Sequence, residues 1–130
     1  MIDLVNAERR KAGVPELKVS PKLCEAARIR AKEVTVKPSH TRPNGTDCDT
    51  VLIDVGLNIS LLNGGTIISH GENLTLRSRG SFSAIDGFNN FMKSSSHKKN
   101  ILNTNYSYVG IAKYRSTNGS TSWIQTFVML

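Results

Sequence analysis

The chain has 130 residues, a formal net charge of +7, 38% apolar and 21% charged residues. That length suits a single domain, 1–130, with a real core, and the balance excludes a disordered chain. No run of about 18 apolar residues is present, which excludes a transmembrane helix, and the low aromatic content with no nucleic-acid motif argues against a nucleic-acid partner.

Residues 3–12 read as a first helix, with Leu4 and Val5 on an apolar side, Glu8 and Arg9 on a charged side, and Gly13 and Pro15 as its stop. Ser20 and Pro21 announce a second helix as N-cap and first residue. Leu23, Ala27, Ala31 and Val34 form its apolar stripe, and Arg28, Arg30, Lys32 and Glu33 fall off that stripe. Pro38 disfavours helical geometry at Lys37, so this helix should end near Val36. Pro43, Asn44 and Gly45 form a turn, after which Asp49 or Thr50 caps a short apolar helix closed by Gly56. In the less legible stretch 57–69, Gly64-Gly65 marks a turn and residues 66–69 suit a short strand.

Ser83 and Asp86 resemble a capping box opening a helix, with Phe82, Ile85, Phe88, Phe91 and Met92 on its apolar side. The chain closes in a hairpin around Asn118-Gly119. Trp123, Gln125 and Phe127 share one face of its last strand, and Ile124, Thr126 and Val128 share the other. Helices first and an antiparallel hairpin last predict an α+β domain with helices packed over a small sheet.

Three histidines, His40, His70 and His97, lie in turn-like segments or at helix ends, where functional groups tend to be displayed. Glu72 is an unusual acid, because Asn73, Leu74 and Leu76 beside it look strand-like. Two imidazoles and a carboxylate can hold zinc or form a general acid–base set, although no HExxH spacing encodes either. Ser94, Ser95 and Ser96 precede His97, but adjacent residues rarely supply nucleophile–base geometry and no GxSxG elbow is present, so capping and turn formation account for them better. Cys24 and Cys48 fit no zinc-finger spacing. In an exported chain they can pair, closing a loop worth about 3 kcal/mol; in a reducing compartment they stay thiols. Sequence leaves both open.

Six segments in order, "LVNAERRKAGVPELKVSPKLCEAARIRAKE", "SHTRPNG", "GENL", "SSSHKKNIL", "YVGIAK" and "WIQTF", resemble a bacterial member of the CAP superfamily from Leu4 to Phe127. That group includes cysteine-rich secretory proteins, insect venom antigens and plant pathogenesis-related proteins. The resemblance implies a three-layer α/β/α sandwich with a mostly antiparallel central sheet. It also implies an exported, extracellular or cell-surface domain whose leader is not part of this sequence.

The family's cleft carries two histidines and two glutamates. By resemblance His40, Glu72 and His97 match three of them. The second glutamate follows an aromatic of the preceding helix by three residues; with Phe91 as that aromatic, Ser94 stands in its place. The cleft therefore keeps His40 and His97 as metal ligands, for zinc, and lacks one acid, for which Asp86 or a water would have to substitute. His70 matches nothing in the pattern and reads as a surface residue. The resemblance further implies that Asn100 fixes the loop after His97 by bonding backbone, that Ile101 and Leu102 plug into the core, that Trp123 and Phe127 are core or cleft wall, and that Gln125 reaches the cleft.

The leading expectation is a secreted, monomeric, non-enzymatic binding module whose His/Glu cleft holds a divalent metal or small ligand. The competing readings are an extracellular hydrolase, metal-assisted or using Ser94 beside His97, and surface adhesion to lipid or cell-wall polymer. Adhesion would act through the basic N-terminal helices, since 10 of the 17 Lys and Arg precede residue 43.

Overall fold

The structure, a computed structural model, describes residues 1–57 and 69–129. Helix α1 spans Ile2–Lys11, strand β1 Lys18–Val19 and helix α2 Pro21–Val36. A single 3-10 turn, Cys48–Thr50, leads into the short helix α3, Val51–Asp54. Strand β2, Ser69–Arg77, is followed by α4, Ala84–Lys93, α5, Ser95–Ile101, and the hairpin strands β3, Tyr108–Arg115, and β4, Thr121–Met129. The expected turn at Gly64-Gly65 lies outside the described residues, and the strand expected over 66–69 meets them only at Ser69, where β2 begins.

Sheet order is β1-β3-β4-β2. Strands β3 and β4 pair antiparallel, as do β2 and β4, and only the two-residue β1 is parallel to its neighbour β3. The α+β class and the mostly antiparallel sheet stand as expected. On one face Leu23, Ala26, Ala27, Ala31 and Val34 of α2 meet Val51 and Leu52 of α3 and Ala112, Ile124 and Val128 of the sheet. On the other, Val5 of α1, Phe91 of α4 and Ile101 of α5 meet Val109, Trp123 and Phe127. Two helical layers thus sandwich the sheet, and the two faces of β4 divide as its alternation predicts. Contact is closest at Gly110, where a Cβ would lie 2.1 Å from the Leu23 carbonyl carbon and oxygen. Helix α2 rests there on bare backbone.

Local signals place most elements. Ser20 accepts a hydrogen bond from Leu23 N at the start of α2, and the Ser83–Asp86 capping box opens α4 with both of its bonds made. Ile85, expected on the apolar side of α4, is instead exposed, because it stands about 120–160° around the helix from the Gly87–Phe91 face that packs on the sheet. The serines read as capping and turn residues open a separate helix, α5, and β1 is a strand that the alternation pattern is too short to announce.

The largest departure concerns three arginines. Arg9 and Arg30 are fully buried and Arg42 nearly so. Arg9, expected on a charged surface, donates to the carbonyls of Pro15, Ile101, Asn103 and Tyr106, tying α1 to the segment between α5 and β3. Arg30, expected off the buried stripe of α2, forms a two-bond pair with the buried Glu72 of β2: Nε to Oε2 at 2.7 Å and Nη2 to Oε1 at 3.0 Å. Both residues escape an apolar-stripe reading because their charge is satisfied inside the protein.

Two variants test this packing. Gly110→Ala forces α2 off β3 and should lower stability by about 1–3 kcal/mol in urea denaturation; a variant as stable as the parent would show that α2 is free to lift. Arg30→Met leaves Glu72 charged, buried and without its main partner, a loss of about 3–5 kcal/mol at neutral pH. A loss under about 1 kcal/mol would place the pair among exposed ones.

Candidate functional site

The site assembles where the loop between α2 and α3 folds against the edge strand β2. Successive residues of β2 point to opposite faces of the sheet. Glu72 lies opposite Thr126, and His70 opposite Val128, so both project toward the α2 side. Asn73, opposite Gln125, projects toward α5. The loop is held by its own hydrogen bonds: Arg42 N donates to Thr46 O, Gly45 N donates to Arg42 O, and Thr41 and Asp47 form a β-bridge. That turn returns the chain on itself and brings Cys48 back beside His40.

Arg42 anchors the loop. Its guanidinium donates to Glu33 of α2, with Nη2 2.8 Å from Oε1, to Asp54 of α3 at 2.7 Å, and to Thr50 Oγ1 at 2.9 Å. Glu33 also accepts from Arg30 Nη1 at 2.6 Å, and Arg30 Nη2 donates to the Ser39 carbonyl at 2.8 Å. A continuous ionic chain, Asp54–Arg42–Glu33–Arg30–Glu72, therefore runs beneath the loop and fixes the residue before His40.

His40 sits at the exposed end of this chain, its Nδ1 3.1 Å from Glu72 Oε1. One donor atom from each of His40, Cys48 and Glu72 lies within 4.8 Å of the other two. The Cys48 sulfur is also 3.6 Å from His70 Nε2. His70, expected as an unengaged surface residue, is thus part of the cluster.

The electrostatics follow from these contacts. Hydrogen bonds to Cys48 and then to Glu72 raise the His40 pKa to about 9, outweighing its burial. Burial pushes the Glu72 carboxyl up, but the bonds from His40 and Arg30 hold it below the usual carboxylate range. Burial likewise pushes the Cys48 thiol up, and the bonds from His40 and His70 bring it below its ordinary value. The Cys48 contact raises His70. The cluster offers sulfur, nitrogen and carboxylate oxygen, the donor types zinc accepts.

His97 stands apart from this group. It lies in α5, with its ring edge-on to Phe91 at 5.3 Å between centroids. Burial, then the charge of His40, lowers its pKa, and its Nδ1 is buried with no hydrogen-bond partner. Among the described residues the three donors that converge are His40, Cys48 and Glu72; His97 is outside that group, although near enough to His40 for its charge to act on it.

Gln125 is fully buried, and its Oε1 accepts from Asn73 Nδ2 at 2.9 Å. Asn73 Nδ2 also donates to the His97 carbonyl. Asn100, expected to bond backbone, instead donates from Nδ2 to Asn73 Oδ1, so it holds the His97 segment through Asn73. Ile101 is fully buried and Leu102 partly so, in the same core cluster. The Ser94 hydroxyl is 3.1 Å from that of Ser96, and neither is bonded to His97 Nδ1. Asp86 is engaged in the α4 capping box, far in sequence from the cluster and with no bond to it. Cys24 and Cys48 are both free thiols.

The residues missed by sequence reasoning carry a partial signal. His70 and Glu72 are two apart in a strand-like segment, which places them on one face. Arg30 lies four residues after the buried Ala26, on the same helix side. Nothing local links Cys48 to either; the fold of the 41–47 turn does so.

Comparison with known proteins agrees with this architecture. The model of the cysteine-rich secretory protein family, CAP, matches residues 2–129. The chain is 25% identical over 130 residues to the uncharacterized protein YkwD of Bacillus subtilis, covering 98% of this chain and 45% of that protein. An extracellular protein containing an SCP domain from Bacillus anthracis superposes with a TM-score of 0.80 at 19% identity, over 99% of this chain and 39% of that one. An outer surface protein from Borrelia burgdorferi superposes with a TM-score of 0.78 at 17% identity, over 98% and 88% of the two chains. The chain thus spans less than half the length of either Bacillus protein. Its ordered motifs, its sandwich and the match over 2–129 make it a bacterial-type member of the CAP superfamily.

Proposed function

We propose that this CAP domain is an extracellular binding module that holds a divalent metal, zinc, at His40, Cys48 and Glu72. The observation that carries the reading is the convergence of three different donor atoms within 4.8 Å at a loop already fixed by buried ion pairs. A rigid donor set loses little conformational entropy on metal binding. Sulfur in the set favours zinc over magnesium or calcium, which prefer all-oxygen sites. An extracellular setting is supported by the extracellular and outer-surface proteins that share the fold. No helix among the described residues is long and apolar enough to cross a membrane.

The competing readings draw less support. A serine hydrolase needs a nucleophile–base pair, and the Ser94 hydroxyl is 3.1 Å from that of Ser96 while His97 Nδ1 has no partner. Adhesion through basic helices loses Arg9, Arg30 and Arg42, which are buried and paired inside the protein.

Calorimetric titration with zinc tests the proposal. His40→Ala and Cys48→Ser should each weaken binding by more than about 100-fold, since loss of an outer-shell partner alone costs about 10–100-fold. His97→Ala should bind as the parent does. Loss of binding in His97→Ala with retention in Cys48→Ser would restore the two-histidine site and refute this one.

The same titration has a defined pH dependence. Zinc binds neutral imidazole and thiolate, and His40 carries a proton up to a pKa of about 9. Binding must expel that proton, so affinity should rise with pH from about 6 to about 9, with proton release that depends on buffer ionisation. Affinity flat across that range would remove His40 from the ligand set.

A further inference from the structure

We propose that His70 is a fourth ligand, so that His40, Cys48, His70 and Glu72 form a closed four-coordinate zinc site that clamps the 39–50 loop to β2. The proposal rests on the zinc reading above and goes beyond it, because three ligands leave a position open for water or substrate and four do not. It therefore assigns the metal a structural rather than a hydrolytic role.

The geometry points to His70 in two ways. His70 and Glu72 occupy alternate positions of β2 and face the same side of the sheet, opposite Val128 and Thr126. His70 Nε2 is 3.6 Å from Cys48 Sγ. A zinc–sulfur bond of about 2.3 Å and a zinc–nitrogen bond of about 2.0 Å, set at a tetrahedral angle, have ends about 3.5 Å apart. The sulfur and nitrogen thus already stand one tetrahedral edge from each other; the His70 nitrogen lies outside the 4.8 Å group formed by the other three donors, so closing the site requires its ring to move toward His40 and Glu72.

The topology suits a clamp. Two donors, His40 and Cys48, flank one turn of the loop, and two, His70 and Glu72, come from one strand. A shared ion would join these two arms, adding to the His40–Glu72 and Cys48–His70 contacts between them and to the Arg30–Glu72 and Arg42–Glu33 pairs beneath. Arg30, donating to both Glu72 oxygens, orients the carboxylate as an outer-shell partner.

Cobalt(II) replacing zinc reads the coordination number directly, since a four-coordinate cobalt–thiolate site absorbs strongly in the visible and shows a sulfur-to-cobalt charge-transfer band. The parent protein should show both. His70→Ala should lose most of the visible intensity as water enters, and bind cobalt at least about 10-fold more weakly. His70→Cys should keep the four-coordinate bands and roughly double the charge-transfer intensity. A His70→Ala protein with the parent's spectrum and affinity overturns the proposal while leaving the three-ligand reading intact. If that variant does not fold, judged by far-UV circular dichroism of the metal-free protein, a His70→Cys spectrum with single-thiolate intensity overturns it instead. Failure of the parent to take up zinc or cobalt overturns the zinc reading itself, and this proposal with it.

Discussion

The buried ion pair between Arg30 and Glu72 fixes the Glu72 carboxylate and the chain just before His40, the two donors from which the cluster is built. Removing two charges from water is costly, and such a pair persists only with close geometry and further hydrogen bonds for the remaining donors and acceptors. Both conditions hold here. Two N–H groups of Arg30 meet the two oxygens of Glu72, and the rest of the guanidinium is taken by Glu33 and the Ser39 carbonyl. The pair therefore does three things at once: it docks α2 on β2, fixes the rotamer of Glu72, and places the chain just before His40. Glu33 then passes the constraint to Arg42, and Arg42 to Thr50 and Asp54 on either side of the 3-10 turn's end.

A consequence is that the two histidines of the family pattern meet different chemistry. His40 faces a carboxylate and a thiol, which stabilise its charged form. His97 is edge-on to Phe91, and its burial together with the charge of His40 disfavours its own charge. The Asn73–Gln125–Asn100 network holds the His97 segment by its backbone, leaving the ring nitrogen Nδ1 without a partner. Glu72 and Asn73 are adjacent in sequence and serve opposite layers of the sandwich.

The same alternation explains what can be read in advance. The caps at Ser20 and Ser83, the Pro21 start, the Asn118-Gly119 hairpin and the division of β4 into two faces are local signals, and each stands in the structure. His40 and Glu72 are legible through ordered motifs rather than spacing. Arg9 and Arg30 are not, because a charged side chain is buried only when partners satisfy it, and theirs lie up to 97 and 42 residues away. Cys48 and His70 stay hidden for a related reason. Their contact depends on the 41–47 turn and on the docking of that loop against β2, both of which are tertiary.

The departure from the family's four-residue cleft has a coherent physical reading. Where the resemblance places a second glutamate, Ser94 stands at the N-cap of α5 and contacts Ser96. Where it places only His40 and Glu72, this chain adds Cys48 and His70. The arrangement has one carboxylate fewer and gains a thiol and an imidazole beside His40 and Glu72. A crystal structure of the zinc-loaded protein tests this most directly. The account predicts one ion bound by His40, Cys48, His70 and Glu72, with metal–nitrogen and metal–oxygen distances of about 2.0–2.2 Å, metal–sulfur of about 2.3 Å, and the His97 ring free of it. An ion bridging His40 and His97, with the Cys48 sulfur unliganded, would contradict it.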